Sequence, residues 1–191
     1  MNIVIFDIET KNTFDDAQTN DPADLDISVV CLYDSATDQY LSFLEDQFDA
    51  MWPYFEKADI IVTYNGKHFD LPVLQPHAPM DLSAIYHVDM FEKMRLVTGK
   101  KLPLNGIAQS TLGIAKSGHG LDAIAWWNAG EIQKIIDYCI QDVKVTQAVY
   151  EYGIANGHLK YEDRKTGKVV TVDLDVSDWD KNEAPEQVGL F

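Results

Sequence analysis

Residues 2–8, NIVIFDI, are dense in β-branched and aromatic side chains, and this run constrains the chain more than any other. It reads as a buried strand, yet Asp7 and Glu9 stand two apart in and just after it. Side chains at i and i+2 share one face of a strand. A buried face holding two carboxylates is costly unless a positive group sits between them. Hard divalent cations, which take oxygen ligands, meet that need. A solvent-exposed strand end is the plainer explanation for a pair considered alone.

The rest of the chain reads as strands alternating with helices. Strands are expected at 27–34 and 39–44, forming an antiparallel meander with the first, and at 59–63. Phe48, Met51, Trp52 and Phe55 recur at helical spacing within 46–57 and predict a helix with a core-packed stripe. A helix starts near Phe69 or Asp70. Residues 80–112 divide poorly, with one helix expected from Asp89, which could cap it, and another near 104–112. Residues 121–128 form a short helix and 131–156 a long one ended by Gly157. HLKYED and KVVTVDLDV flank Arg-Lys-Thr-Gly and predict a C-terminal β-hairpin. The polar, acidic residues from 177 onward predict a flexible tail. The expected whole is an α/β mixed sheet with helices packed on it: a domain over 1–157, a hairpin appendage over 158–176 and a tail over 177–191.

Composition narrows function mainly by exclusion. The 191 residues suit one domain with a full core. No apolar run would span a bilayer, and the N-terminal stretch lacks a basic lead-in, so a cytoplasmic protein is expected. Cys31 and Cys139 belong to no CxxC pair and read as reduced, buried thiols. The formal net charge of −16 argues against nucleic-acid binding. Bound cations would reverse the field locally. Charge is also uneven, with basic islands at 93–101 and 158–168.

Two further pieces carry chemistry. Asp70 follows the fourth strand in TYNGKHFDLPVL, where Tyr64-Asn65-Gly66 lets the chain turn back; a helix cap is the alternative role. Tyr138 and Asp142 lie four apart and share a helix face. Together the three pieces resemble the DEDD superfamily of 3′–5′ exonucleases, of ribonuclease H-like fold. DxE occurs as FDIET with Asp7 and Glu9, NxxxFD as NGKHFD with Asn65, Phe69 and Asp70, and YxxxD as YCIQD with Tyr138 and Asp142. Tyrosine in the third motif marks the DEDDy subclass. The resemblance spans roughly residues 1–156 and is nearest to proofreading domains of family B DNA polymerases and their small stand-alone bacterial relatives. The length leaves no room for a polymerase domain.

The resemblance implies hydrolysis of phosphodiester bonds from nucleic-acid 3′ ends by two Mg2+ or Mn2+ ions roughly 4 Å apart. Asp7, Glu9, Asp70 and Asp142 would be the metal ligands, with Asp7 bridging and Asp70 acting mainly through waters. Tyr138 would orient the nucleophilic water, since an ordinary tyrosine, with a pKa of about 10, is a poor base at neutral pH. Nucleoside 5′-monophosphates would be released. Asn65 and Phe69 would shape the terminal-nucleotide site, although Phe69 reads slightly better as core. Lys67, His68, Lys116 and His119 are candidate substrate contacts on loops. His77 and His87 have no ligand spacing and read as surface or core. An endonuclease of the same fold, an RNA exonuclease and an inactive binding module stay open as alternatives. Gln187, Leu190 and Phe191 lie in QVGLF, which resembles the QLxLF peptide that docks on the bacterial β sliding clamp, with valine a departure at the second position. A clamp partner would argue for DNA, single-stranded in the simplest case, over RNA.

Overall fold

The computed structural model describes residues 1–114 and 120–180. Its frame is a mixed five-stranded sheet of order β3-β2-β1-β4-β5. The strands are β1 (Ile3–Thr10), β2 (Ile27–Asp34), β3 (Gln39–Phe43), β4 (Ile60–Thr63) and β5 (Tyr86–Asp89). β1 to β3 form the expected antiparallel meander. β4 and β5 run parallel to β1 on its other side.

The sheet is covered on both faces, so its strands alternate between two apolar clusters. Val4, Phe6 and Ile8 join the cluster formed with α2 (Phe48–Glu56) and α3 (Asp70–Leu74). Ile5, Val29, Cys31, Ile60 and Val62 join the opposite one. That face is built by α4 (Met90–Thr98), α5 (Leu104–Leu112), α6 (Gly120–Asn128) and α7 (Ile132–Asn156). α7 buries Ile135, Cys139, Asp142, Val145, Thr146 and Val149, the stripe expected of its 3.6-residue repeat. Gly157, at φ +67°, supplies the left-handed residue that ends it.

Three features depart from the sequence reading, and the expected hairpin is present but packed into the core. β5 divides the region 80–112, adding a strand to the expected order. The loop at 12–26 contains a one-turn helix, α1 (Phe14–Ala17), closed by a capping box between Thr13 and Asp16. The hairpin, β6 (His158–Asp163) and β7 (Lys168–Asp173), forms its own two-stranded sheet, and its Leu159, Tyr161 and Val172 are part of the main core. Trp179, in the segment assigned to the tail by composition, is packed into the core. Trp179 is 0% exposed, and its ring stacks on Tyr150 at 5.8 Å. The Tyr150 hydroxyl donates to the Trp179 carbonyl at 2.6 Å. One buried aromatic outweighs the polarity of its neighbours. Lys116, His119, Gln187, Leu190 and Phe191 lie outside the described residues.

Candidate active site

Asp7 and Glu9 sit on the central strand, on the face turned to α7. Parallel pairing of β1 with β4 covers only Ile3–Ile5 against Ile60–Val62. Beyond that point the strands separate, and a cleft opens at the end of β1. The Ile8 amide there donates to Asp70 Oδ1 at 3.1 Å instead of to a strand. Asp70 is the first residue of α3 and is 4% exposed; Phe69, not Asp70, holds the cap position. Asp70 thus braces β1 rather than capping its own helix.

Asp142 enters from α7, one turn beyond Tyr138. Ligand oxygens of Asp7, Glu9 and Asp142 lie within 4.8 Å of one another. Three carboxylates this close repel strongly unless a cation or protons intervene. An all-oxygen set of this kind fits Mg2+ or Mn2+, not a soft metal. Asp70 stands outside that trio but lines the same cleft of about 520 Å3, as does Tyr138. The Tyr138 ring packs edge-on against Trp126 at 5.8 Å. Burial pushes the Asp70 carboxyl up to about 7, hydrogen bonds from its own amide and from the Ile8 amide oppose the rise, and Asp89 adds to it. Burial likewise raises the Cys139 thiol, which sits 3.4 Å from the Asp7 carbonyl and is a free, buried cysteine like Cys31.

The second motif forms a tight turn. Asn65 adopts φ +76°, in the left-handed region that few non-glycine residues visit. Gly66 donates to Thr63 Oγ1 at 3.0 Å, and a Cβ on Gly66 would fall 2.4 Å from that oxygen. Asp89 holds the turn from below, accepting from the Asn65 and Lys67 amides at 2.9 Å each. The sequence reading placed Asp89 only as a helix cap.

The remaining predicted residues divide. Asn65 and Phe69 line the carboxylate cleft. Phe69 is also partly buried against the α2–α3 cluster and meets Phe14 edge-on at 6.2 Å, so it serves both core and cleft. His68 lines a neighbouring cleft. Lys67 lies outside the carboxylate cleft, with its ammonium on Glu92 at 2.8 Å. Thr10, Asn12, Thr13, Phe14, Leu121 and Ile124 also line the cleft and were missed. The T-x-x-D capping signature at 13–16 could have located Thr13 and Phe14. No signal singles out Leu121, which is 71% exposed.

Among the described residues no helix is long and apolar enough to cross a membrane. The chain is 23% identical to the DNA-directed DNA polymerase of Escherichia phage T7 over 170 positions, covering 66% of this chain and 24% of that protein. The corresponding polymerase of Enterobacteria phage T3 matches at 22%, with the same coverage. The chain therefore spans about a quarter of the length of the curated relatives it matches. The family B DNA polymerase of the archaeon Pyrobaculum calidifontis superposes with a TM-score of 0.62 at 18% identity, covering 81% of this chain and 24% of the polymerase. The family model described as RNase_H superfamily matches residues 4–154, and with the sheet order and the carboxylate trio in view the chain belongs to the RNase H superfamily.

Proposed function

We propose that this protein is a 3′–5′ exonuclease that hydrolyses the terminal phosphodiester bond of a nucleic-acid strand, single-stranded DNA first among its substrates. The observation that carries this reading is the convergence of Asp7, Glu9 and Asp142 within 4.8 Å, in a cleft shared with Asp70 and Tyr138. The 3′–5′ direction and the DEDDy assignment rest on the resemblance of the three motifs.

Asp7, Glu9 and Asp142 would hold divalent cations, with Asp70 completing the set through waters. Two Mg2+ or Mn2+ ions there would supply an ionised water at neutral pH and neutralise charge on the reacting phosphate. The chain's own groups do the positioning. Tyr138, fixed by Trp126 and by burial in α7, orients the attacking water. Phe14, Phe69 and Leu121 give the terminal nucleoside an apolar enclosure at the mouth. Asn65, set by its strained turn, places an amide beside the sugar or base. The product of such a cut is a nucleoside 5′-monophosphate.

The deciding experiment digests 5′-labelled single-stranded DNA and RNA of matched sequence with Mg2+, Mn2+ or chelator, using wild-type and Asp7→Asn proteins. A metal-dependent ladder shortening from the 3′ end, absent in Asp7→Asn, is expected. Internal cuts, or full activity in Asp7→Asn, would overturn the reading. We also propose that Gln187, Leu190 and Phe191 dock on a β sliding clamp as an extended peptide. Deleting 187–191 should abolish clamp binding in a pull-down with purified clamp; undiminished binding removes the idea.

A further inference from the structure

The carboxylate cleft is the first of three joined clefts. It shares Tyr64 and Asn65 with a second, of about 530 Å3, lined also by His68, Phe91, Arg95 and Lys101. The second shares Lys101 and Pro103 with a third, of about 420 Å3, which runs to the β6–β7 turn and includes Arg164 and Lys165. A continuous strip therefore leads from the acidic trio to the hairpin.

Its charge is unlike that of the whole, whose formal value is −16. Nearby lysines are engaged: Lys67 pairs with Glu92, Lys93 with Asp178 and Lys100 with Asp163. Arg95, Lys101, Arg164 and Lys165 are exposed and carry no ion pair among the described residues. The acids on the strip are few. Asp163 is committed to Lys100 and to the Lys165 and Thr166 amides, and Glu162 lines the far end. The strip also offers aromatic surface, with Tyr64 and Phe91 edge-to-face at 5.9 Å and the Tyr64 hydroxyl tied to the Leu102 carbonyl at 2.7 Å.

The hairpin turn is held in place rather than left to wander. Lys100 donates to the Tyr161 hydroxyl at 2.9 Å and lies 4.7 Å from the centre of its ring. Thr111 Oγ1 accepts from the Lys160 amide at 2.9 Å. Unpaired cations with aromatic faces between them, arranged along a groove, suit a single nucleic-acid strand: phosphates meet the cations and bases stack on the rings.

We propose that this strip is the path of the strand upstream of the scissile bond, with Arg95 and Lys101 on the nearer phosphates and Arg164 and Lys165 of the hairpin on the farther ones. The proposal rests on the exonuclease reading for its polarity. It gives the hairpin a task, that of a distal grip, which the catalytic motifs do not require.

The test measures binding and cleavage separately. Fluorescent single strands of about 4 and about 16 nucleotides, the range of common site sizes, are titrated in Mg2+ with the Asp7→Asn protein. The same titrations follow with Arg95→Ala/Lys101→Ala and Arg164→Ala/Lys165→Ala added, and with Lys57→Ala as a charge control. Each pair should weaken the longer strand about tenfold and make the log–log salt slope shallower by about 1.4, two contacts at roughly 0.7 each. The turn pair should cost the short strand about twofold or less, and Lys57→Ala should change neither quantity. Wild-type affinity and slope in both pairs overturn the strip. Cleavage by the same pairs in the wild-type background separates the two readings. Binding along the strip without 3′ cleavage removes the exonuclease and leaves the strip. Cleavage with an unaltered salt slope in both pairs removes the strip and leaves the exonuclease.

Discussion

Asp89 accepts four backbone N–H groups: Asn65 and Lys67 at 2.9 Å, Phe91 at 3.0 Å and Glu92 at 3.3 Å. One carboxylate thus caps α4 and fixes the turn that carries Asn65. Only the cap was legible, because its partners are two and three residues away; the turn lies more than twenty residues upstream. The Asp7–Glu9 and Tyr138–Asp142 pairs were legible for the opposite reason, since i,i+2 and i,i+4 spacings are local and survive folding unchanged; that Asp142 joins the other two came only from the resemblance of the motifs. Lys67 pairs with Glu92, a partner that a lysine beside a motif does not announce. At this scale His87 makes a pH prediction. Its Nε2 sits 2.8 Å from Thr63 Oγ1, and burial holds the imidazole down to about 3, helped by Lys67 and opposed by Glu92. With a folded value below the unfolded one of about 6.5, acid favours the unfolded chain. Stability should fall as pH drops from about 6.5 toward about 3, by at most about 1.4 kcal/mol per pH unit from this group. Urea unfolding of His87→Gln across that range should show a shallower acid limb; an unchanged limb would remove the assignment.

Elements were legible where their period is long. The ten buried positions of α7 announce a helix, and the meander follows from three apolar runs broken by polar turns. β5 was missed because four residues, Tyr-His-Val-Asp, with only the last two buried, show no period. The docked C-terminal segment was missed because Trp179 is one aromatic amid acids. Gly153 records the docking from the other side: a Cβ there would lie 2.6 Å from Trp179 Cζ3. Alanine gains helix propensity of about 1 kcal/mol over glycine, yet overpacking costs about 1–3 kcal/mol. Gly153→Ala should therefore destabilise by up to about 2 kcal/mol net of that gain, and Trp179→Ala in the same chain should cancel most of the clash. Thermal melts of both variants check this; a stabilised Gly153→Ala would mean the tryptophan is not seated against α7.

For the molecule as a whole, the fold class was legible from strand and helix order, and the superfamily match agrees with it. The charge was harder to interpret, because a total of −16 hides its distribution. The trio concentrates repulsion where a cation relieves it. Divalent cation at about a hundred times its Kd should add about 2.7 kcal/mol, a rise in Tm of about 5–10 °C for a chain of this size. Asp7→Asn should lose most of that rise and melt above wild type in chelator, because one repelling charge is gone. A Tm indifferent to Mg2+ and Mn2+ would remove the trio as a metal site.

The ladder between β1 and β2 sets Asp7 opposite Cys31 and Glu9 opposite Val29, and its first irregularity falls between Glu9 and Thr10. The spacing of the two acids is therefore copied from the repeat of the sheet, which works as a ruler. A slip of one residue would carry both carboxylates through to the α2–α3 layer and bring Phe6 and Ile8 round to face α7. The pairing that holds the centre of the sheet is also the gauge of the site, so a sequence change that shifts the register would erase the chemistry before it dismantled the fold.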